Sequence, residues 1–370
     1  MTPAEPLFFY RVDRETSTAA RGVVGSGAAP ARSRRTGFER RERDGSQLLR
    51  LSFQIAFVLL NVWIGARFYL FVRYFETGGQ TLRVPRPPGV EGWLPIAGLM
   101  NLKYTLLTGD IPAVHPAALV LLVAFLAMSF VARKAFCGWL CPVGTLSEWL
   151  WQGGEALFGR IFAPPRWLDV ALRSLKYVLL GLFAYAVASM PVEALRAFVE
   201  SPYGLIADVK MLNFFRFLGT TAAIVIGVLL LISVIVKNAW CRYLCPYGAL
   251  VGLAALASPV RIRREPDACI DCAKCARACP SRLPVDRLTA VRSAECTACL
   301  LCVDVCPAKG ALALTATGRR VVPAWALAAT IAIVFVGFVA SARLTGHWHT
   351  PVPDSVYFEL VPRANQFAHP

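Results

Sequence analysis

Five stretches of this chain are long and apolar enough to read as bilayer-crossing helices: about 51–72, 115–132, 172–190, 219–236 and 322–342. A bilayer core asks for roughly 20 apolar residues in a helix. The second run opens on His115, with Pro116 in its first turn. The third, LRSLKYVLLGLFAYAVASM, is the least hydrophobic, and Lys176 near its start is expected to snorkel to the interface. Between the runs, residues 92–108 and 203–217 are apolar at helical spacing, which predicts amphipathic helices lying on the outer surface. Residues 145–162 read the same way on the inner face, with Trp149 and Trp151 suited to headgroup level. Residues 1–48 lack apolar periodicity and are rich in Arg, Ser, Gly and Ala. They are expected to form a disordered basic tail, with no cleaved signal peptide.

The pattern also repeats. ARKAFCGWLCPVGTL around Cys137 matches VKNAWCRYLCPYGAL around Cys241. Each follows one apolar run, and the run before that opens in both cases with Leu-Arg, at Leu49-Arg50 and Leu172-Arg173. Two helical hairpins of the same orientation are expected, related by an axis along the membrane normal. Such an axis brings the two cysteine motifs to one membrane face.

Composition sharpens this picture. Residues are 56% hydrophobic and only 17% charged, where a soluble domain carries about a quarter charged. The formal charge of +16 marks basic flanks that orient helices; no basic stripe on a soluble domain points to nucleic acid. Lys and Arg collect on the cytoplasmic side. Twenty-nine fall in 1–50, 133–176 and 237–320, against eight in 74–115, 191–218 and 343–370. The N-terminus and all the cysteine motifs are therefore expected in the cytoplasm, and the C-terminal tail outside.

The twelve cysteines fall into four motifs with none left over. Two read CxxCxxCxxxCP: Cys269, Cys272, Cys275 and Cys279, then Cys296, Cys299, Cys302 and Cys306. In two-cluster ferredoxins the compact CxxCxxC loop supplies three thiolates to a [4Fe–4S] cluster, and the cysteine before Pro ligates the other cluster. The expected sets are Cys269, Cys272, Cys275 and Cys306 for one cluster, and Cys296, Cys299, Cys302 and Cys279 for the other. Zinc uses two CxxC pairs rather than this spacing. The other motifs read CxxxCP: Cys137 and Cys141, then Cys241 and Cys245. Cysteines at i and i+4 share one helix face, and the following Pro breaks the helix. Four sulfurs near a twofold axis could bind a metal or small cluster, or act as a redox thiol pair, with Arg133, Lys134, Lys237 and Arg242 favouring thiolates.

All four histidines, His115, His347, His349 and His369, fall in segments expected outside. A metal site or quinol proton acceptor is one reading; interfacial packing beside Trp348 is the plainer one. Arg67 near the outer end of the first helix reads as a snorkelling side chain. No nucleotide fingerprint or Ser/His/Asp arrangement stands in the sequence.

The strings CGWLCPVG and CRYLCPYGAL, followed by twin CxxCxxCxxxCP, resemble the membrane polyferredoxins, the NapH-, NosR- and CcoG-like 4Fe–4S proteins, over about 50–310. That resemblance implies a bacterial inner-membrane protein with cytoplasmic clusters that passes electrons between the quinone pool, with quinol as substrate, and a redox protein partner. A copper reductase or assembly factor using the CxxxCP thiolates is the alternative. The expected architecture is mainly α, a polytopic membrane protein of about five transmembrane helices: two parallel-repeat hairpins plus one, with a small α+β two-cluster ferredoxin-like domain. Its divisions are a tail (1–48), a four-helix core (49–255), the ferredoxin-like domain (256–318), the fifth helix (319–342) and an outer tail (343–370).

Overall fold

The computed structural model describes residues 39–42 and 44–369. The rest of the stretch read as a tail lies outside the described residues. Within it, residues 39–42 dock on the cysteine-rich segment: the Arg41 N–H donates to the Pro307 carbonyl at 2.9 Å, and the Arg41 guanidinium to the Val303 carbonyl at 3.1 Å. Backbone pairing and one arginine, not apolar burial, make this contact, so hydrophobic periodicity does not register it.

The first unit runs α1 (Ser46–Glu76), α2 (Pro95–Thr108), α3 (Pro116–Ala132), a π-helical turn (Phe136–Leu140) and α4 (Pro142–Phe158). The second repeats the order with α5 (Arg166–Ser189), three short helices α6 (Val192–Val199), α7 (Pro202–Leu205) and α8 (Ala207–Arg216), then α9 (Thr220–Ile235), a π-helical turn (Trp240–Leu244) and α10 (Pro246–Leu256). The amphipathic segments expected between the apolar runs are α2, α8 and α4. The units interlock reciprocally: α4 packs on α9 and α10 on α3, the exchange a pseudo-twofold axis demands.

The cysteine-rich segment follows. A two-stranded antiparallel sheet pairs β1 (Arg261–Arg264) with β2 (Leu312–Thr315), Ile262 facing Leu314, and frames α11 (Lys274–Ala278) and α12 (Leu301–Asp304). The chain ends with α13 (Ala324–Leu344) and α14 (Asp354–Leu360), whose Tyr357 packs edge-on against Phe71 of α1 at 5.2 Å.

Three helices, α1, α5 and α13, are long and apolar enough to cross a membrane; α8 and α9 pass that test only together and bend by 81° between them. Two shorter apolar helices are α10 and α3, and α3 has 17 residues. It is apolar all round because it is wrapped by protein: α2, α10 and α13 pack on it, and Ala117, Ala124 and Met128 are fully buried. By contrast α9 exposes Ile224, Val225, Val228 and Leu231. An apolar surface of that kind belongs against lipid. Lys176 does not snorkel. It is fully buried and donates to both Glu295 oxygens at 2.6 Å, because a carboxylate inside the protein offers more to an ammonium than the distant interface does.

Gly154 shows how tightly the units interlock. A Cβ there would overlap the carbonyl oxygen of Val234 in α9, whereas Gly153 faces open space. Gly154→Ala should therefore cost about 1–3 kcal/mol by overpacking, read as a lowered unfolding midpoint in detergent. Gly153→Ala should gain about 0.5–1 kcal/mol of helix stability. Equal midpoints for the two variants would contradict the close approach.

Candidate iron–sulfur site

Both CxxCxxC loops share one backbone shape. The residues flanking each middle cysteine take the left-handed conformation: Asp271 (φ 52°) and Ala273 (φ 56°) in the first loop, Ala298 (φ 49°) and Leu300 (φ 61°) in the second. Non-glycine residues avoid this region, and strain of this kind persists where surrounding structure overrides it, often at functional sites. It curls each loop so that its cysteines face inward.

The cysteines then sort across the two motifs. Cys279, Cys296, Cys299 and Cys302 line one cavity of about 360 Å³, open mouth included, whose wall is otherwise mainly apolar: Ile262, Leu283, Val285, Val291 and Leu300. Cys306 instead stands in the field of Cys272 and Cys269, and Cys275 in that of Cys306 and Cys272. Each CP cysteine thus sits with the other motif's triplet. Burial pushes the Cys279 thiol up to about 12 and the Cys275 thiol up to about 11. At neutral pH such thiols stay protonated unless a bound cation holds the thiolate. Four sulfurs in an apolar chamber fit a thiolate-ligated cluster. Among the described residues no three His, Cys, Asp or Glu side chains are grouped to hold a single metal ion; a cube-shaped cluster spreads its four thiolates over four irons.

The CxxxCP motifs form the two π-helical turns, closed by Cys141 N–H to the Phe136 carbonyl at 2.8 Å and Cys245 N–H to the Trp240 carbonyl at 3.0 Å. Pro142 and Pro246 then open α4 and α10, where a missing N–H costs nothing. Cys141 and Cys245 cap those helices, their sulfurs accepting from the N–H of Gly144 at 3.5 Å and of Gly248 at 3.2 Å. The two turns bring a cysteine of each motif to one cavity, Cys137 and Cys241. Burial pushes Cys141 up to about 11, against the pull of the Gly144 N–H.

The first turn is seated on the second cysteine loop. Trp139, fully buried, donates its Nε1–H to the Ala298 carbonyl at 3.0 Å. A Cβ at Gly138 would stand 2.9 Å from the Thr297 oxygen, so only glycine allows this approach. The Gly138 carbonyl in turn accepts from Arg50 at 3.3 Å and Gln54 at 3.2 Å, and Arg50 forks onto both Glu148 oxygens at 2.8 and 2.5 Å.

Sequence reasoning named the cations flanking these sulfurs but missed the carboxylate among them, Glu295. Glu295, beside Cys296, is bound by Lys176, by the Tyr177 hydroxyl at 3.1 Å and by Lys134 at 3.7 Å. Burial opposes its ionisation, but Lys134 and Lys176 hold it below the usual carboxylate range. The available signal was Lys176 itself, since an ionisable residue within an apolar run is by default a site hypothesis. Of the other flanking cations, Lys237 donates to the Arg277 carbonyl at 3.1 Å and Arg242 pairs with Asp169.

The histidines go elsewhere. His115 caps α3 at φ 54°, donates from Nε2 to the Gly204 carbonyl at 2.8 Å, and lies 3.5 Å from Glu91 through its other ring nitrogen. Arg86 completes that cluster, binding Glu91 at 2.6 Å and Asp208 at 2.7 Å. Burial works against a charged imidazole there, but Glu91 raises it. Seventeen residues of α3 separate this cluster from the cysteines, about 25 Å at the helical rise. His347 and His349 flank buried Trp348, and His369 packs against Tyr203 at 5.0 Å. Arg67 stacks over Trp63 at 5.0 Å.

Comparison with known proteins agrees with this chemistry. A family described as a 4Fe–4S binding domain matches residues 114–165 and 218–265, one CxxxCP motif in each. A family described as a 4Fe–4S dicluster domain matches 261–307, which holds the other eight cysteines. YccM of Escherichia coli (strain K12), whose name refers to electron transport, is 48% identical over 326 residues, 86% of this chain and 91% of that protein. The ferredoxin-type protein NapH of Haemophilus influenzae is 31% identical over 52% of this chain and 68% of its own length. The methylamine utilization ferredoxin-type protein MauN of Methylorubrum extorquens is 29% identical over 63% of this chain and 79% of its own. No solved structure matches the chain. Cysteine pattern, apolar helices and relatives agree: the chain belongs to the membrane polyferredoxin family of 4Fe–4S electron-transfer proteins.

Proposed function

We propose that this protein links the quinone pool, or another membrane donor, to a redox protein partner through two [4Fe–4S] clusters. Cys269, Cys272, Cys275 and Cys306 hold one cluster; Cys296, Cys299, Cys302 and Cys279 hold the other. Clusters bound there supply one-electron chemistry. The chain's part is to hold them in apolar chambers and to set the second beside the membrane helices. Cys137, Cys141, Cys241 and Cys245 form a further redox or metal site between those helices and the second cysteine loop. The observation that carries this reading is the seating of the first CxxxCP turn on that loop, through Trp139 and Ala298. A carrier working at a bilayer needs its redox groups in such contact with the membrane domain.

In the same reading α1, α3, α5, α9 and α13 are the five spans. The N-terminus, the CxxxCP turns and the ferredoxin-like domain face the cytoplasm of a bacterial inner membrane, and residues 343–370 lie outside. The asymmetry of Lys and Arg between the two faces supports this orientation.

Anaerobically purified protein should contain at least about eight irons per chain; zinc without iron would sink the proposal. The cross-ligation has its own test. Cys279→Ser and Cys299→Ser should abolish the same EPR signal, and Cys306→Ser and Cys272→Ser the other. Pairing of Cys279 with Cys272 instead would refute it. A Cys141→Ser/Cys245→Ser double variant should impair quinol-dependent reduction of the clusters. Intact reduction with failed maturation of a copper enzyme would favour the assembly-factor reading instead.

A further inference from the structure

Between the CxxxCP turns and the second cysteine loop lies a cavity of about 430 Å³, open mouth included, with Lys134, Cys137, Cys241, Arg242, Glu148 and Glu295 on its wall; Glu148 is already taken by Arg50. The Lys134 ammonium reaches in beside the sulfurs: a methyl group placed on Gly248 would lie 3.6 Å from its Nζ and 3.4 Å from Cys245 Sγ. Lys134 is 3% exposed. Its carboxylate neighbour Glu295, 3.7 Å away, is already taken by Lys176 at 2.6 Å. One carboxylate therefore answers two buried ammonium groups.

The second repeat shows the same imbalance. Asp169 alone is shared by Arg173, at 2.5 Å, and by Arg242. Arg242 is 2% exposed, lines the cavity, and leaves its Nε without a hydrogen-bond partner among the described residues. Burying uncompensated positive charge is costly. Cys137 and Cys241 share the cavity wall with Lys134, and the Cys245 sulfur stands beside its ammonium at Gly248.

We propose that the four CxxxCP sulfurs hold a thiolate-bound centre of more than one metal ion and of net negative charge, and that Lys134 is its counter-charge, shared through Glu295 with the adjacent cysteine loop. The proposal rests on the reading of those four thiols as a redox or metal site and names its kind. A disulfide pair is neutral and would leave the surplus cations unanswered; a centre with four thiolates carries the missing negative charge. Lys134 touches no ligand bond in this role. It is a positioning residue that acts by its field, favouring the centre's more negative, reduced state and so raising its potential.

The test is an EPR-monitored redox titration of the full-length protein, comparing wild type with Cys141→Ser/Cys245→Ser, Lys134→Met and Lys134→Arg. Wild type should show a metal signal beyond those lost in Cys279→Ser and Cys306→Ser, and the double serine variant should lack it. Lys134→Met should shift that centre's one-electron equilibrium about tenfold toward the oxidised form, 59 mV lower, while Lys134→Arg stays near wild type. The cluster lost in Cys306→Ser should keep its potential in every variant, which reports an intact fold. Should Lys134→Met fail to assemble, Lys134→Gln removes the charge with milder change and is read the same way. An additional centre whose potential ignores Lys134 overturns the counter-charge while leaving the four-thiol site standing. A wild type without any additional signal, or with a metal-free two-electron thiol couple, overturns the site and the counter-charge together.

Discussion

The pairing of Arg50 with Glu148 holds the membrane domain and the cysteine-rich segment in one register. Both side chains are 4% exposed, and losing either partner of such a buried pair costs about 3–5 kcal/mol. Because Arg50 and Gln54 also bind the Gly138 carbonyl, α1 clamps the first π-helical turn. That turn then presses Trp139 and Gly138 onto Ala298 and Thr297. One ion pair thus connects a membrane helix, the CxxxCP sulfurs and a ferredoxin-like loop. Gln47, one turn before Arg50, adds a bond to the Cys299 carbonyl at 3.1 Å.

Duplication explains why the site takes this form. Each unit supplies a helix bearing a basic residue, a π-helical turn and a cysteine-capped helix, and the units interlock so that the turns meet. Sulfur at a helix N-terminus is favoured by the exposed N–H groups there, and Cys141 and Cys245 both take that position. The units are not equal, though. The first turn touches the second cysteine loop, while around the second turn Lys237 reaches the Arg277 carbonyl near the first motif's end. A symmetric pair of turns thus meets an asymmetric partner.

The far end of α3 is built by the same rule with a different outcome. There the buried charges of Arg86, Glu91, Asp208 and His115 satisfy one another. Beside the sulfurs, Lys134 and Lys176 share Glu295, and Arg173 and Arg242 share Asp169. A closed cluster needs nothing more; an open one, lining a cavity, invites a ligand.

Much of this was legible in the chain. The cysteine spacing, the apolar runs, the amphipathic segments and the repeat are patterns carried by the chain itself; the Pro after each CxxxC, read as breaking a helix, ends a π-helical turn and also opens α4 and α10. Lys176 was misjudged and His115 left open for one reason. Whether a lysine snorkels or meets Glu295, more than a hundred residues away, depends on distances that only packing creates. So does the wrapping of α3 by protein instead of lipid, and so do the left-handed residues that curl the cysteine loops. The sequence by itself determined the 4Fe–4S cysteine motifs and the apolar helices that accompany them. The tertiary structure decided which sulfurs face each other and which charges are left over, because both are relations between segments far apart in the chain.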